Sequence, residues 1–117
     1  MKKVFFVGIL TSFAFGFFDP DYVTKAEQEL TLHYLNNKIY ETVSCMNEEV
    51  DNIYYILCRG LALGVDTRRQ GGLFKVVKEG DSYKIFAVNG KAQQHANGKY
   101  ETLVDPSLDI QKVMNEF

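Results

Sequence analysis

Residues 41–60, ETVSCMNEEVDNIYYILCRG, decide the fold, because they hold both cysteines of the chain, Cys45 and Cys58. Asp51-Asn52 divides the stretch, and both residue types tolerate the positive φ that a two-residue hairpin turn requires. Cys45 lies six residues before Asp51 and Cys58 lies six residues after Asn52, so a hairpin would set the two cysteines opposite each other. We therefore predict two antiparallel strands joined by a cross-strand disulfide.

The same stretch also has a helical interpretation, because apolar residues recur every three or four positions over about 39–58. These residues are Ile39, Val43, Met46, Val50, Ile53 and Leu57. On one helix, a separation of 13 residues would hold the two cysteines about 20 Å apart, whereas a disulfide needs Cα atoms within about 7 Å. The hairpin is favoured, and a long helix over about 39–58 with a small sheet after it is the alternative.

Further turn signals on both sides of this hairpin predict an antiparallel meander. The dipeptides Asn36-Asn37, Gly80-Asp81, Asn89-Gly90 and Asn97-Gly98 are typical of hairpin turns. The predicted strands cover residues 30–35, 38–46, 53–59, 73–79, 82–88, 91–96 and 99–104. In the hairpin around Gly80-Asp81, one face is apolar and the other mixed, as in a sheet that is covered on one side.

Both ends of the domain carry helix signals. Thr24 and Glu27 fit a capping box, and Asp105 followed by Pro106 fits the start of a second helix. The apolar stripe of that second helix, which we expect to pack on the sheet, consists of Ile110, Val113, Met114 and Phe117. The sequence therefore predicts an α+β fold, mainly β, with a short N-terminal helix, a C-terminal helix and one disulfide.

Residues 1–16, MKKVFFVGILTSFAFG, have the three parts of a secretory signal peptide. Lys2 and Lys3 form the basic start, an uncharged apolar run follows, and Ala14 and Gly16 are small residues before a cleavage point. We predict that the segment is cleaved and that the protein is periplasmic or secreted. An oxidising exported compartment also agrees with an even number of cysteines.

Cleavage would leave residues 17–117 as a single small β-rich exported domain. The apolar run of residues 4–18 is shorter than the roughly 20 residues of a spanning helix, so no stable membrane span is expected after cleavage. A short uncleaved anchor is the alternative. Removal of residues 1–16 takes away two of 13 basic residues and none of 15 acidic ones, which leaves a formal charge of −4.

The sequence contains no motif of a nucleotide-, metal- or cofactor-dependent enzyme. Its two histidines, His33 and His95, fall opposite Tyr40 and Tyr100 in the predicted hairpins, where cross-strand packing explains them. We therefore expect a protein that is not an enzyme and that has no cofactor and no metal site. The formal charge of −2 on the whole chain argues against a nucleic-acid partner, which would require a strongly basic surface.

Candidate contact residues lie on both sides of Cys58. The segment of residues 60–72, GLALGVDTRRQGG, is long for a connection and contains four glycines. The three arginines of the chain lie beside or within it, and their planar donor groups suit carboxylate or phosphate partners. An outward tyrosine next to the acidic hairpin tip would also suit a recognition surface. The candidate partner-binding residues are Tyr54, Tyr55, Arg59, Arg68 and Arg69.

These observations favour an exported, non-enzymatic protein-binding module. Its partner would be another protein of the bacterial cell envelope or exterior, which makes the chain a subunit of an envelope assembly or an inhibitor-like protein. The alternative is a small-molecule-binding protein or a small hydrolase with a pocket between the sheet and the C-terminal helix.

Overall fold

The computed structural model describes residues 20–61, 67, 70–103 and 105–117. The predicted signal peptide, residues 1–16, lies outside this part of the chain. The described residues form three helices and five strands. In chain order these are α1 (Asp21–Asn36), β1 (Val43–Val50), β2 (Ile53–Gly60), β3 (Gly72–Glu79), β4 (Ser82–Ala87), α2 (Gly90–Ala96), β5 (Glu101–Thr102) and α3 (Ile110–Met114).

The strands form one sheet in the order β1-β2-β3-β4-β5. Neighbouring strands from β1 to β4 are antiparallel, whereas β5 runs parallel to β4. The predicted α+β class, mainly β, is confirmed. The prediction of a wholly antiparallel meander is wrong at β5, because the chain crosses over through α2 before it returns to the sheet edge.

The β1–β2 hairpin has the predicted register. Asp51 and Asn52 have φ values of 53° and 66°, which is the left-handed pair of a two-residue turn. Cys45 lies opposite Cys58, and the two residues form a disulfide with their Cα atoms 4.0 Å apart. The alternative of a long helix over about 39–58 is therefore wrong, although β1 starts five residues later than the predicted strand 38–46.

The β3–β4 hairpin also has the predicted register, with Phe74 opposite Ala87 and Val76 opposite Ile85. These four side chains belong to one buried cluster, together with Ala26, Leu30 and Tyr34 of α1. The opposite face of the sheet packs a second cluster, in which Leu73 contacts the C-terminal segment. The sheet is therefore covered by α1 and α2 on one face and by the C-terminal segment on the other.

The predicted strand 30–35 and the turn at Asn36-Asn37 are wrong, because α1 continues to Asn36. Its buried residues Val23, Ala26, Leu30 and Tyr34 recur every three or four positions, and this helical period outweighs the short β-branched and aromatic run at its end. The expected cap at Thr24 is also wrong. The helix starts earlier, at Asp21 after Pro20, without a side-chain cap.

The predicted strand 91–96 is wrong for a different reason. Asn89 does not form a hairpin turn with Gly90; its side-chain oxygen accepts from the backbone N–H of Ala92 at 2.8 Å and starts α2. The same oxygen accepts from Leu73 N at 3.0 Å. Asn97 and Gly98 do form a turn, with φ values of 53° and 80°, but it leads from α2 to β5.

The C-terminal helix begins later than predicted. Asp109 caps α3 by accepting from Lys112 N at 3.1 Å, while Asp105 closes a separate turn by accepting from Ser107. The expected stripe does pack on the sheet, since Val113 and Met114 are buried in the second cluster. In place of the predicted strand 99–104, the described residues 99–103 include the short strand Glu101–Thr102, which pairs alongside β4.

We expect Cys45→Ser to lower the free energy of unfolding by about 3 kcal/mol, from the entropy of a closed loop of roughly 14 residues. Urea denaturation of exported protein measures the change, and reduction of the wild-type disulfide should reproduce it. Two free thiols in the exported wild type, detected by mass spectrometry, would contradict this prediction.

Candidate functional site

The first candidate site is the outer side of β1, where the sheet ends. β1 is the first strand of the sheet, and within the described ranges only β2 pairs with it. We call the main chain on this side the open edge. Strands at a sheet edge carry hydrogen-bonding groups that can pair with a further strand.

The hairpin geometry identifies the residues of the open edge. In a two-residue hairpin the pair that flanks the turn, Val50 and Ile53, exchanges hydrogen bonds, and such pairs alternate along the ladder. Leu61 N donates to Thr42 O at 3.2 Å, which fits this alternation at the far end. The Cα distance of 4.0 Å between Cys45 and Cys58 is nearer to the ~4.5 Å of a pair without mutual hydrogen bonds than to the ~5.5 Å of a hydrogen-bonded pair.

The main-chain N–H and C=O groups at every second residue therefore point away from β2. The residues with outward groups are Val43, Cys45, Asn47 and Glu49. The register of β1 with β2 is unbroken over eight pairs, so no bulge twists this edge away. The strand also contains no proline and no lysine, two residue types that commonly protect edges from pairing.

Two carboxylates of β1 lie on opposite faces of the sheet near the open edge. Glu48 is only 5% exposed and pairs in register with Tyr55, while Glu49 pairs with Tyr54. On the α1 face, Asn47 Nδ2 donates to Glu27 Oε2 at 2.8 Å, which holds a third carboxylate over β1. Carboxylates therefore lie beside β1 on both faces of the sheet.

The predicted contact residues Tyr54 and Tyr55 are not brought together. Tyr54 lies on the α1 face, where its ring meets that of Tyr22 edge-on at 6.2 Å. Tyr55 lies on the other face, is 3% exposed and belongs to the second cluster. The described residues thus place Tyr55 in the core rather than on an outer surface, because both faces of the sheet are covered.

The predicted arginines are placed only in part. Arg59 lies opposite Ser44 near the end of β2, on the same face as Tyr55 but at the other end of the strand. Arg68 and Arg69 lie outside the described residues. Nearby, Thr67 Oγ1 donates to Gly60 O at 2.6 Å, and Tyr40 donates to Gln70 O at 3.0 Å.

The second candidate is a set of polar aromatic side chains between α1, α2 and the sheet. We call it the tyrosine–histidine cluster; its members are Glu29, His33, Tyr34, Tyr40, Tyr83, His95 and Tyr100. Tyr34 is fully buried and stacks on Tyr40 with ring centroids 5.7 Å apart. His33 faces Tyr100 at 5.2 Å and His95 faces Tyr40 at 5.4 Å. The predicted cross-strand pairs are therefore wrong, because neither histidine lies on a strand.

Glu29 is the acceptor that holds two tyrosines of this cluster. Its Oε1 accepts from the Tyr83 hydroxyl at 2.7 Å, and its Oε2 accepts from the Tyr100 hydroxyl at 2.9 Å. Burial, together with the Glu29 hydrogen bond and charge, raises the pKa of Tyr83 to about 12. The same causes raise the pKa of Tyr100 well above its ordinary range. Both hydroxyls therefore remain protonated donors at neutral pH.

Three of the four histidine ring nitrogens make hydrogen bonds within the fold. His33 Nε2 donates to the carbonyl oxygen of His95 at 2.7 Å, and its Nδ1 lies 3.2 Å from Asn37 Nδ2, which donates to it. His95 Nδ1 lies 2.7 Å from the Tyr34 hydroxyl. Burial, followed by the charges of Lys91 and His33, lowers the pKa of His95, so we assign the neutral ring as the acceptor of the Tyr34 proton.

A surface depression of about 380 Å³ borders this cluster and is lined by Glu29, His33, three asparagines and Lys99. His33 is 5% exposed, and both its ring nitrogens already have partners within the fold. Acid–base catalysis requires a nitrogen that can reach a substrate proton. His33 and Tyr34 of α1 thus both hydrogen-bond to His95 of α2, which joins the two helices.

The third candidate is a cavity of about 250 Å³ between the β1–β2 turn, β3 and the C-terminal segment. The alternative function, binding or hydrolysis of a small molecule, predicts a pocket at this position. Its three carboxylates already have intramolecular partners: Asp51 pairs with Lys112 at 3.1 Å, Asp105 accepts from Ser107 at 2.7 Å, and Asp109 caps α3. Within the described residues, no three His, Cys, Asp or Glu side chains are placed so that together they could hold a metal ion.

The chain matches no protein-family model, no curated protein and no solved structure. Among the described residues, none of the helices has both the length and the apolar character needed to span a membrane.

The open edge and the role of Glu29 were missed in the sequence for different reasons. A strand at 30–35 would have paired with the following one, so the predicted meander concealed that β1 is terminal in the sheet. The two cysteines lie at equal distances from Asp51-Asn52. Counting hydrogen-bonded and non-hydrogen-bonded pairs from that turn could therefore have identified Cys45 as a residue whose main-chain groups point away from β2. Glu29 has no such signal, because Tyr83 and Tyr100 are 54 and 71 positions away.

We expect Glu29→Gln to lower the free energy of unfolding by about 1 kcal/mol, because an amide leaves one half-buried tyrosine hydroxyl without its acceptor. Glu41→Gln makes the same chemical change at an exposed position and should be nearly neutral. Urea denaturation compares the two variants. Spectrophotometric titration should also show that the pKa of Tyr83 falls from about 12 towards its ordinary value. Equal stability of both variants would contradict the role of Glu29.

Stability should decrease on acidification because of His95. The pKa of His95 is lower in the folded protein, so the unfolded chain binds the proton more tightly and the free energy of unfolding falls as pH drops below about 6.5. Above that pH the contribution is constant. We expect a lower urea midpoint at pH 5 than at pH 7.5, and a smaller difference in His95→Gln. An identical pH dependence in wild type and variant would rule out His95 as the source.

Proposed function

We propose that the chain is an exported, non-enzymatic protein-binding module that receives a strand of its partner on the open edge of β1. The partner is a protein of the cell envelope or exterior. The observation that carries this proposal is an edge strand with four outward-facing residues that is fastened to the rest of the sheet by the disulfide between Cys45 and Cys58.

Strand addition suits this edge for a physical reason. An added strand obtains affinity from main-chain hydrogen bonds and specificity from alternating side chains. A disulfide between β1 and β2 prevents the edge from separating from the sheet, which reduces the entropy that binding would otherwise cost. The disulfide supports the export that we propose, since such a bond persists in an oxidising compartment.

The alternative function is the binding or hydrolysis of a small molecule in the cavity beside the C-terminal segment. It is less well supported, because the carboxylates around the cavity are engaged with Lys112, Ser107 and the start of α3. The candidate contacts Arg68 and Arg69 remain predictions. They would add contacts beyond the strand itself.

The proposal is tested by photo-crosslinking in cells that produce and export the protein. A photoreactive residue replaces Met46, which lies on β1 with 38% of its surface exposed, and in a second strain replaces Gln93 on the exposed side of α2 as a control. We expect a discrete adduct with another protein from position 46 and none from position 93. The exported chain should begin at Phe17 with its cysteines joined.

Two variants of Asn47 distinguish the contribution of its main-chain N–H to binding from that of its side chain. Asn47→Pro removes an outward N–H that β2 does not use, and proline is tolerated at such edge positions. Asn47→Ala removes the hydrogen bond to Glu27 but keeps that N–H. We expect the adduct to survive in Asn47→Ala and to disappear in Asn47→Pro, with both variants folded by circular dichroism. No adduct from position 46, or an undiminished one in Asn47→Pro, would contradict the proposal.

A further inference from the structure

We infer that Cys45 is the sulfur through which the disulfide with Cys58 is formed and exchanged, and that Cys58 is the resolving sulfur. The reactant is the cysteine pair of a thiol–disulfide oxidoreductase, which forms a transient mixed disulfide with Cys45 and not with Cys58. The inference goes beyond the proposed function and does not rest on it, because it requires only the positions of the two cysteines in the sheet.

The two sulfurs differ in the direction from which they can be attacked. A thiolate displaces one sulfur of a disulfide along the line of the bond, from the side opposite the leaving sulfur, and access decides which sulfur is attacked. Cys45 and Cys58 are direct partners on β1 and β2, so the bond between them runs across the two strands. In-line attack on Cys45 therefore comes from outside β1, whereas in-line attack on Cys58 comes from the side of β3.

The β3 side of Cys58 is closed. Cys58 is fully buried and lies opposite Gly72 of β3. The space over Gly72 is already filled, because a Cβ at that glycine would collide with the Tyr34 hydroxyl and lie 3.1 Å from Phe74 Cε1. Tyr34 and Phe74 are themselves fully buried. A thiolate therefore has no path to Cys58 along this line in the folded domain.

The outer side of Cys45 is open in the part of the chain that the structure describes. β1 is the terminal strand of the sheet, so no further strand lies across the line of attack. Cys45 is only half-buried, whereas Cys58 has no exposed surface. Because reactive cysteines are partly exposed and fully buried ones are inert, the folded domain presents one sulfur of the pair to a thiol.

The exchange consists of two balanced steps. A thiolate of the oxidoreductase bonds to Cys45 Sγ as the bond to Cys58 breaks, and the electron pair leaves on Cys58 Sγ, which takes a proton from water. The second thiolate of the oxidoreductase then displaces Cys45 from the mixed disulfide. The chain has then gained two electrons, and the oxidoreductase has become a disulfide. In the reverse direction, the Cys45 thiolate attacks the oxidised oxidoreductase and Cys58 resolves the mixed disulfide.

The first test exposes the disulfide-bonded wild type to an excess of reduced glutathione under native conditions. Samples are quenched in acid and free thiols are alkylated with N-ethylmaleimide. Proteolysis after Glu48 and Glu49, which lie between the two cysteines, then allows mass spectrometry to locate each label. We expect glutathione on Cys45 and N-ethylmaleimide on Cys58, at least about tenfold more often than the opposite arrangement. In denaturing urea both arrangements should be about equally frequent.

Two matched variants make the same comparison without the bond. Cys58→Ser leaves the Cys45 thiol, Cys45→Ser leaves the Cys58 thiol, and each variant is treated with oxidised glutathione. We expect Cys45 to react at least about tenfold faster than Cys58 in the folded variants, and at about the same rate in urea. Circular dichroism checks that both variants are folded, and the wild-type measurement decides the question if either is not.

Three results would overturn the inference. They are glutathione on Cys58 as often as on Cys45, equal rates for the two folded variants, and reduction of the wild type at a rate independent of glutathione concentration, as exchange limited by unfolding requires. None of them bears on strand binding, which photo-crosslinking from position 46 tests separately.

Discussion

The pairing of Cys45 with Cys58 is the constraint on which the rest of the structure depends. The bond and the two-residue turn at Asp51-Asn52 together fix one register for β1 and β2. Because side chains alternate along a strand, that register determines which residues face α1 and which face the C-terminal segment. It also determines which main-chain groups β2 uses and which it leaves on the outer side of the sheet.

The parts of the fold that could be predicted from the sequence are those whose determining interaction is local or covalent. The two central hairpins, their registers and the disulfide follow from turn residues and cysteine spacing within about 20 positions. The predicted strands 30–35 and 91–96 are wrong, because these short stretches fit a strand by composition but belong to helices that their neighbouring residues determine. Tyr34 is buried by the helical period that begins at Val23, and Asn89 caps α2 because its oxygen reaches Ala92.

The candidate site, too, could be predicted from the sequence only in part. The residue types along β1 and the residues whose main-chain groups point outward could be predicted, since both follow from residues 41–60 and the turn at Asp51-Asn52. The position of β1 at the edge of the sheet could not be predicted, because it depends on whether the preceding residues form a strand or a helix. The contacts of Glu29 depend on residues brought together only by the packing of α1 on β4.

The packing of α1 against α2 and the sheet can be followed by spectroscopy, because several aromatic side chains lie at this contact. The chain has no tryptophan and seven tyrosines, and Tyr34, Tyr40, Tyr83 and Tyr100 all lie in the tyrosine–histidine cluster. Near-ultraviolet circular dichroism arises from aromatic side chains held in fixed surroundings and is lost when packing loosens. The native signal of this protein should therefore report on the packing of α1 against the sheet through these four tyrosines, and on the disulfide hairpin through Tyr54, Tyr55 and the disulfide itself.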